Sequence, residues 1–173
     1  MEPKTNAIIA FLEFAGAIET AILVIGLIYA LTLWARGILP ALIRLGNGLA
    51  KRKIAIFAKG DNMASLKGLL LDSRLFKQKN ICEIQKREDL GRAETATMYL
   101  VFWHDWAADI NAILLKKPDT CALIVYAPHD LGRISDHDMK LLDGKRHTCV
   151  TNFRGRLLND ILASMITSGY EKE

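Results

Sequence analysis

The stretch from Thr20 to Ala35, TAILVIGLIYALTLWA, carries no charge, no proline and a single glycine. Upstream, Asn6 to Ile18 is nearly as apolar but contains Glu13, and Glu19 follows it. Together these make about 30 helix-compatible residues, which at ~1.5 Å per residue is enough for a bilayer core of about 30 Å. A cleaved signal peptide needs a basic start, a short apolar run and a small-x-small cleavage site. Here the start reads Met-Glu-Pro-Lys, the run is long, and Leu33-Trp34-Ala35 is a poor cleavage site. A run of this hydrophobicity is rarely placed in so small a soluble domain. The expectation is one membrane span over about residues 8–35, within an N-terminal segment 1–52, followed by a domain over 53–173.

The flanks set an expected orientation. Arg36, Arg44, Lys51, Arg52 and Lys53 follow the span with no acid among them, and Glu2 and Lys4 precede it. Basic residues stay in the cytoplasm, so the C-terminal domain is expected in the cytoplasm of a cell whose inner (plasma) membrane holds the span. Cys82, Cys121 and Cys149 are an odd set without paired spacing, and each lies inside a strand-like run. They read as buried thiols in a reducing compartment. The net charge of +4 lies largely in the juxtamembrane stretch, which suits anionic lipid headgroups and does not require a nucleic acid.

Gly37 to Lys53 is amphipathic, with Ile38, Leu39, Leu42, Ile43, Leu45 and Leu49 as its apolar residues. Pro40 removes a backbone donor and is expected to kink this helix. Gly46-Asn47-Gly48 is the expected hinge before the domain. Inside the span, Glu13 and Glu19 lie about 120° apart around the helix. A carboxylate in hydrocarbon is costly unless it faces water or a partner. Gly16, Ala17, Gly26 and Ala30 are small enough to let helices approach closely. These features predict a homo-oligomeric bundle with glutamates on its inner side, a candidate pore.

From Lys53 the pattern changes. Five short apolar runs, 53–58, 80–84, 98–103, 121–127 and 148–152, mostly lack strict alternation, as expected of strands covered on both faces. Helical patterns lie between them: 61–75 behind an Asp61/Asn62 cap, 105–117, 135–142 behind Ser135, and 154–168 stopped by Gly169. A short helix is expected in 86–97. The alternation predicts an α/β fold, a small, doubly wound, mostly parallel five-stranded sheet after the N-terminal transmembrane helix.

Ligands of such folds sit beyond the C-terminal strand ends. Those positions hold Lys59, Asp61 and Asn62 after the first run, and His104, Asp105 and Trp106 after the third. His129, Asp130 and Arg133 follow the fourth, and Asn152, Arg154 and Arg156 the fifth. Two arginines around Gly155 at a helix start suit a phosphate, so these rim residues are candidate nucleotide ligands. The pairs His104-Asp105, His129-Asp130 and His137-Asp138 invite a metal reading. Neighbours on a strand end point apart, however, and no metal site or cofactor is expected. Arg133 and His137 are spaced one residue too closely for the Arg-x-x-x-x-His signature of HEPN ribonucleases.

The strand pattern resembles that of TIR domains and flavodoxin-like proteins. Enzymes of the TIR family use a glutamate on the helix after the third strand. Here that helix reads Asp105-Trp106-Ala107-Ala108-Asp109-Ile110-Asn111, without one. One span joined to a small α/β domain with no evident catalytic set, closing in Asn152-Phe153-Arg154-Gly155-Arg156-Leu157-Leu158-Asn159-Asp160, resembles bacterial membrane effectors of antiviral defence. In size and layout it is similar to the membrane accessory proteins of RNA-targeting type VI CRISPR loci. The resemblance implies an oligomeric pore that collapses the inner-membrane potential when infection is sensed. Its partners would be the bilayer, further copies of the chain, and a defence partner or nucleotide signal. The alternatives are a tethered TIR-like nucleotide or NAD hydrolase using Asp105 or Asp109 with His104 or His129, and a tethered binding adaptor.

Overall fold

The computed structural model describes the backbone of residues 3–170 and the side chains of 13–37 and 52–168. The chain divides into two units, Met1–Leu45 and Gly46–Glu173. That division falls inside the first helix, ahead of the expected boundary at 52/53.

Helix α1 (Pro3–Lys51) is a single assignment of 49 residues. It passes through Pro40, so the lost backbone donor does not end it there. Gly46-Asn47-Gly48 is helical as well, and the expected hinge at these residues is not a loop. Within α1, Glu13–Gly37 is a 25-residue segment of mean hydropathy 2.1, none of it buried. Among the described residues, one helix is therefore long and apolar enough to cross a membrane. Its large apolar side chains stand free, among them Leu23 at 67% exposure and Leu27 at 61%.

The second unit is a five-stranded, wholly parallel sheet of β1 (Ile54–Phe57), β2 (Ile81–Ile84), β3 (Met98–Phe102), β4 (Ala122–Tyr126) and β5 (Thr148–Thr151). The order is β2-β1-β3-β4-β5, the doubly wound arrangement of the flavodoxin type, with its switch point between β1 and β3. Every residue of β1, β3 and β4 is buried, which explains why their sequences run apolar without alternation.

The pleat divides those residues between two cores. Ala55, Phe57, Tyr99, Val101, Leu123 and Val125 pack on one face with Trp106, Ile110, Ile113 and Leu142. Ile54, Ile56, Met98, Leu100 and Ile124 pack on the other with Leu66, Leu70, Leu157 and Ile161. The second face is thus covered by α2 (Gly60–Asp72) and α6 (Arg154–Tyr170). The first is covered by α3 (Trp103–Trp106), α4 (Ile110–Lys116), α5 (Asp136–Asp143) and a 3-10 segment Arg87–Thr95.

Four local expectations change. Helix α2 ends at Asp72 rather than near Leu75, because Arg74 turns left-handed at φ 58°. The single helix expected over 105–117 is broken into α3, a 3-10 turn Ala107–Asp109 and α4. Helix α6 runs past Gly169 to Tyr170. The expected Asp61/Asn62 cap is not one: α2 starts at Gly60 (φ +50°), and its cap position is Lys59, whose own side chain makes no capping bond. Ser135 does cap α5 as its sequence suggests, accepting from the Asp138 amide at 3.1 Å.

Tyr99 ties the first core to the lower edge of the sheet, its hydroxyl donating to the Lys116 carbonyl at 3.5 Å. Burial pushes its phenol up to about 12, with the charges of Cys121 and Glu94 adding to the effect. A tyrosine whose folded value is raised holds its proton longer in the native state than in the unfolded chain. Its contribution to stability is complete below the ordinary value near 10 and is lost as pH rises through about 12. An alkaline titration read at the tyrosinate absorbance should show one phenol ionising last, together with loss of the near-UV signature of the fold. Tyr99→Phe should remove that last step.

Candidate functional site: the C-terminal rim of the sheet

At the switch point the ends of β1 and β3 are joined by one carboxylate. Asp105 Oδ2 accepts the Lys59 amide at 2.7 Å. The Asn62 side-chain amide donates to both Asp105 oxygens, at 3.2 and 3.1 Å. Asp105 therefore caps α2 from another element. It satisfies the first free amide of that helix and places negative charge at the positive end of its dipole. The Lys59 ammonium lies over the Trp106 ring, 5.4 Å from its centroid. Trp106 in turn meets Phe57 edge-on at 5.6 Å. The Trp106 indole N–H is buried and has no acceptor among the described residues. This clasp is local in space but spans 46 residues in sequence between Lys59 and Asp105.

The clasp predicts a specific loss. Asp105→Ala leaves the Lys59 amide and the Asn62 side chain without their acceptor, and should cost about 1–3 kcal/mol. Thermal melts of the detergent-solubilised chain would register this as a fall of several degrees, while Asp61→Ala at the exposed neighbouring position should stay within about 0.5 kcal/mol of the parent.

The other rim residues are dispersed around this clasp. His104 is exposed, its ring 6.2 Å from that of Phe102. Asp109 pairs with Arg87 at 3.4 Å. After β4, His129, Asp130 and Leu131 form an exposed 3-10 turn, ended by Gly132 at φ +105° and followed by exposed Arg133. After β5, Asn152 and Phe153 are exposed.

The two arginines differ. Arg154 donates to the Ser65 hydroxyl at 2.7 Å and to the Ser65 carbonyl at 3.1 Å, fixing the start of α6 against α2. Arg156 is exposed, with Asp160 4.0 Å away on its own helix. The expected pair of phosphate forks is thus one fork committed to Ser65 and one in solvent. The structure joins Lys59, Asn62 and Asp105, but no hydrogen bond or ion pair among the described residues links them to His129, Asp130 or Arg133. Among the described residues, no three histidine, cysteine, aspartate or glutamate side chains converge on a metal position. A polar groove along the β2 edge is lined by Ile81, Glu83, Gln85, Lys86, Asp89 and Arg92. Most of its charge is cancelled locally, through Lys67–Glu83 at 2.7 Å and Arg92–Asp89 at 3.5 Å.

Three structural residues carried no local signal. Lys117 is buried and donates to the carbonyls of Pro118 and Arg146 at 3.3 and 3.0 Å, so it staples the loops that enter β4 and β5. Burial pushes its ammonium down; Cys121 and Asp119 act against that, and Lys145 adds to it. Arg52 and Ser168 meet at 3.2 Å, from segments 116 residues apart. Burial lowers the Arg52 value also. No disulfide joins the described cysteines: Cys121 is buried, Cys82 and Cys149 partly so. Burial raises the Cys149 thiol, with Asp160 adding and Arg156 opposing.

These features define a class: an α/β domain of doubly wound parallel topology, carried on a chain with one helix suited to a bilayer. No family model, curated protein or solved structure matches the chain.

Proposed function

We propose that this protein is a membrane-anchored effector whose copies assemble through the span and disrupt the membrane potential. The observation that carries the reading is the unburied apolar segment Glu13–Gly37. Such a surface is stable in hydrocarbon and strongly unfavourable in water. Glu13 and Glu19 lie within that segment, and intramembrane carboxylates belong to polar pathways and helix contacts rather than to passive anchors. The basic flank beginning at Arg36 favours a cytoplasmic α/β domain under an inner membrane. The layout resembles antiviral membrane effectors, and we place the function in that setting. Asp105 and Asp109 already hold structural partners, which favours this reading over nucleotide hydrolysis.

Cells in which the protein is activated should lose the signal of a potential-sensitive dye, and Glu13→Ala or Glu19→Ala should restore most of it. Normal polarisation in activated cells with the parent protein present in the membrane would overturn the proposal.

A further inference from the structure

Because the sheet is wholly parallel, every strand begins at the same edge, and the loops that lead into the strands gather there. Hydrogen bonds tie these loops to one another. The Thr97 amide donates to the Lys53 carbonyl at 2.8 Å, the Ala122 amide to the Thr97 carbonyl at 3.2 Å, and the Leu123 amide to the His147 carbonyl at 2.8 Å. The buried Lys117 ammonium adds its bond to the Arg146 carbonyl at 3.0 Å. This edge is therefore one fixed surface rather than a set of independent loops.

The surface is basic. Lys53, Arg74, Lys77, Lys79, Lys145 and Arg146 are all exposed along it. Arg74, Lys77 and Lys79 lie between the end of α2 and the start of β2, and Lys145 and Arg146 between α5 and β5. Lys116 is there too, but Glu94 pairs with it at 3.1 Å. Against the six cations stand Asp72, Asp119 and Asp143 among the described residues. The opposite rim is of mixed sign, with exposed Asp61, Asp130 and Asp136 among Lys59, Arg133 and Arg154. Leu75 is an independent sign of what this edge meets. It is 43% exposed, whereas its neighbour Phe76 is buried, and Arg74 before it holds a left-handed φ of 58°. A large apolar side chain held outward among cations matches an interface of charged headgroups over acyl chains.

We propose that this edge of the α/β domain docks on the anionic lipid headgroups of the bilayer that holds the span. The inference rests on the membrane reading above and goes beyond it by naming the face of the domain and the lipid class it meets. Continuity of the chain selects lipid as the occupant. Gly37 ends the apolar segment and Lys53 opens the sheet, about 24 Å of helix apart at ~1.5 Å per residue. The opposite rim lies a full strand further along the chain. Charge selects the same occupant, since clustered cations beside a span are drawn to anionic headgroups. That attraction decays within a Debye length of about 8–10 Å, so docking folds the connection 38–52 over toward the surface and weakens as salt rises. A nucleic acid would match the cations, but neither the exposed Leu75 nor the tether.

The test uses the full-length chain in nanodiscs of phosphatidylcholine alone or with phosphatidylglycerol added. Amine-reactive footprinting read by mass spectrometry reports each native lysine. Lys77, Lys79 and Lys145 should be modified several-fold more slowly in the anionic discs, and high salt should abolish the difference. Lys59 and Lys86, exposed at the opposite rim, should react alike in both discs. In Leu75→Asp combined with Lys79→Glu, most of the protection of Lys145 should be lost. Equal reactivity of Lys77, Lys79 and Lys145 in the two discs would overturn the docking and leave the span intact. Protection shared equally by Lys59 and Lys86, surviving high salt, or indifferent to the double substitution would also overturn it. A short duplex RNA added to the phosphatidylcholine discs should leave the three lysines as reactive as before. Their protection by RNA and not by anionic lipid would overturn lipid as the occupant. A chain that enters neither disc would remove the membrane reading, and this inference with it.

Discussion

Leu23→Arg combined with Leu27→Arg should move most of the full-length chain out of alkaline-washed membranes. Both positions sit near the middle of Glu13–Gly37 and are unburied, so nothing in the chain shelters a guanidinium there. Each arginine near a helix centre costs about 2.5–3.5 kcal/mol of insertion, and two cost about 5–7 kcal/mol, more than a thousandfold in partition. The control is Leu115→Arg, at an 85% exposed position of the sheet domain, which should leave partition unchanged. Membrane flotation of the three proteins reads the result directly. If the doubly substituted chain floats like the parent, the segment does not reside in hydrocarbon, and the proposed function falls with it.

The second large effect is expected at Trp106. The side chain is 1% exposed and packs against Phe57 in the first core. Truncation to alanine removes a large buried surface and leaves a cavity among strands β1 and β3, at a cost of about 3–5 kcal/mol. It also removes the ring beneath the Lys59 ammonium. Trp106→Phe separates packing from polarity. The indole N–H has no acceptor among the described residues, so phenylalanine loses no hydrogen bond and relieves a desolvated donor. The phenylalanine variant should therefore lose less than about half of what the alanine variant loses, because most of the aromatic packing remains. Melts followed by near-UV circular dichroism should place the alanine variant roughly 10 °C or more below the parent. Equal losses in the two variants would mean that the N–H is engaged and that the packing account is wrong.

Asp105, the neighbour of Trp106, shows where a rim reading made from sequence goes astray. Asp105 stands after an apolar run beside a histidine, a pattern open to catalysis, capping or metal binding alike. Its actual work depends on Lys59 and Asn62, which reach it only because β1 and β3 are neighbours in the sheet. Strand adjacency is not written in the order of the strands: β2 lies between β1 and β3 in sequence but outside them in space. Arg154 follows the same logic, since its partner Ser65 is 89 residues away on α2. The guanidinium is legible as a fork, but the hydroxyl that occupies it is not.

By itself, the amino-acid order determined the apolar segment, the five strands and the principal helices. Each of these follows from local periodicity: an uncharged helical run, apolar runs buried on both faces, and stripes at helical spacing. It also determined the Ser135 cap, because that bond closes within three residues. Only the tertiary structure decided the strand order, the Asp105 clasp that replaces the expected Asp61/Asn62 cap, and the loss of Arg154 as a free anion ligand. The clasp and the Arg154 contact join residues 43 to 89 positions apart, and the strand order rests on pairings between separate segments. Such contacts exist only once helices cover both faces of the sheet, because their partners are chosen by three-dimensional proximity and not by neighbours in the chain.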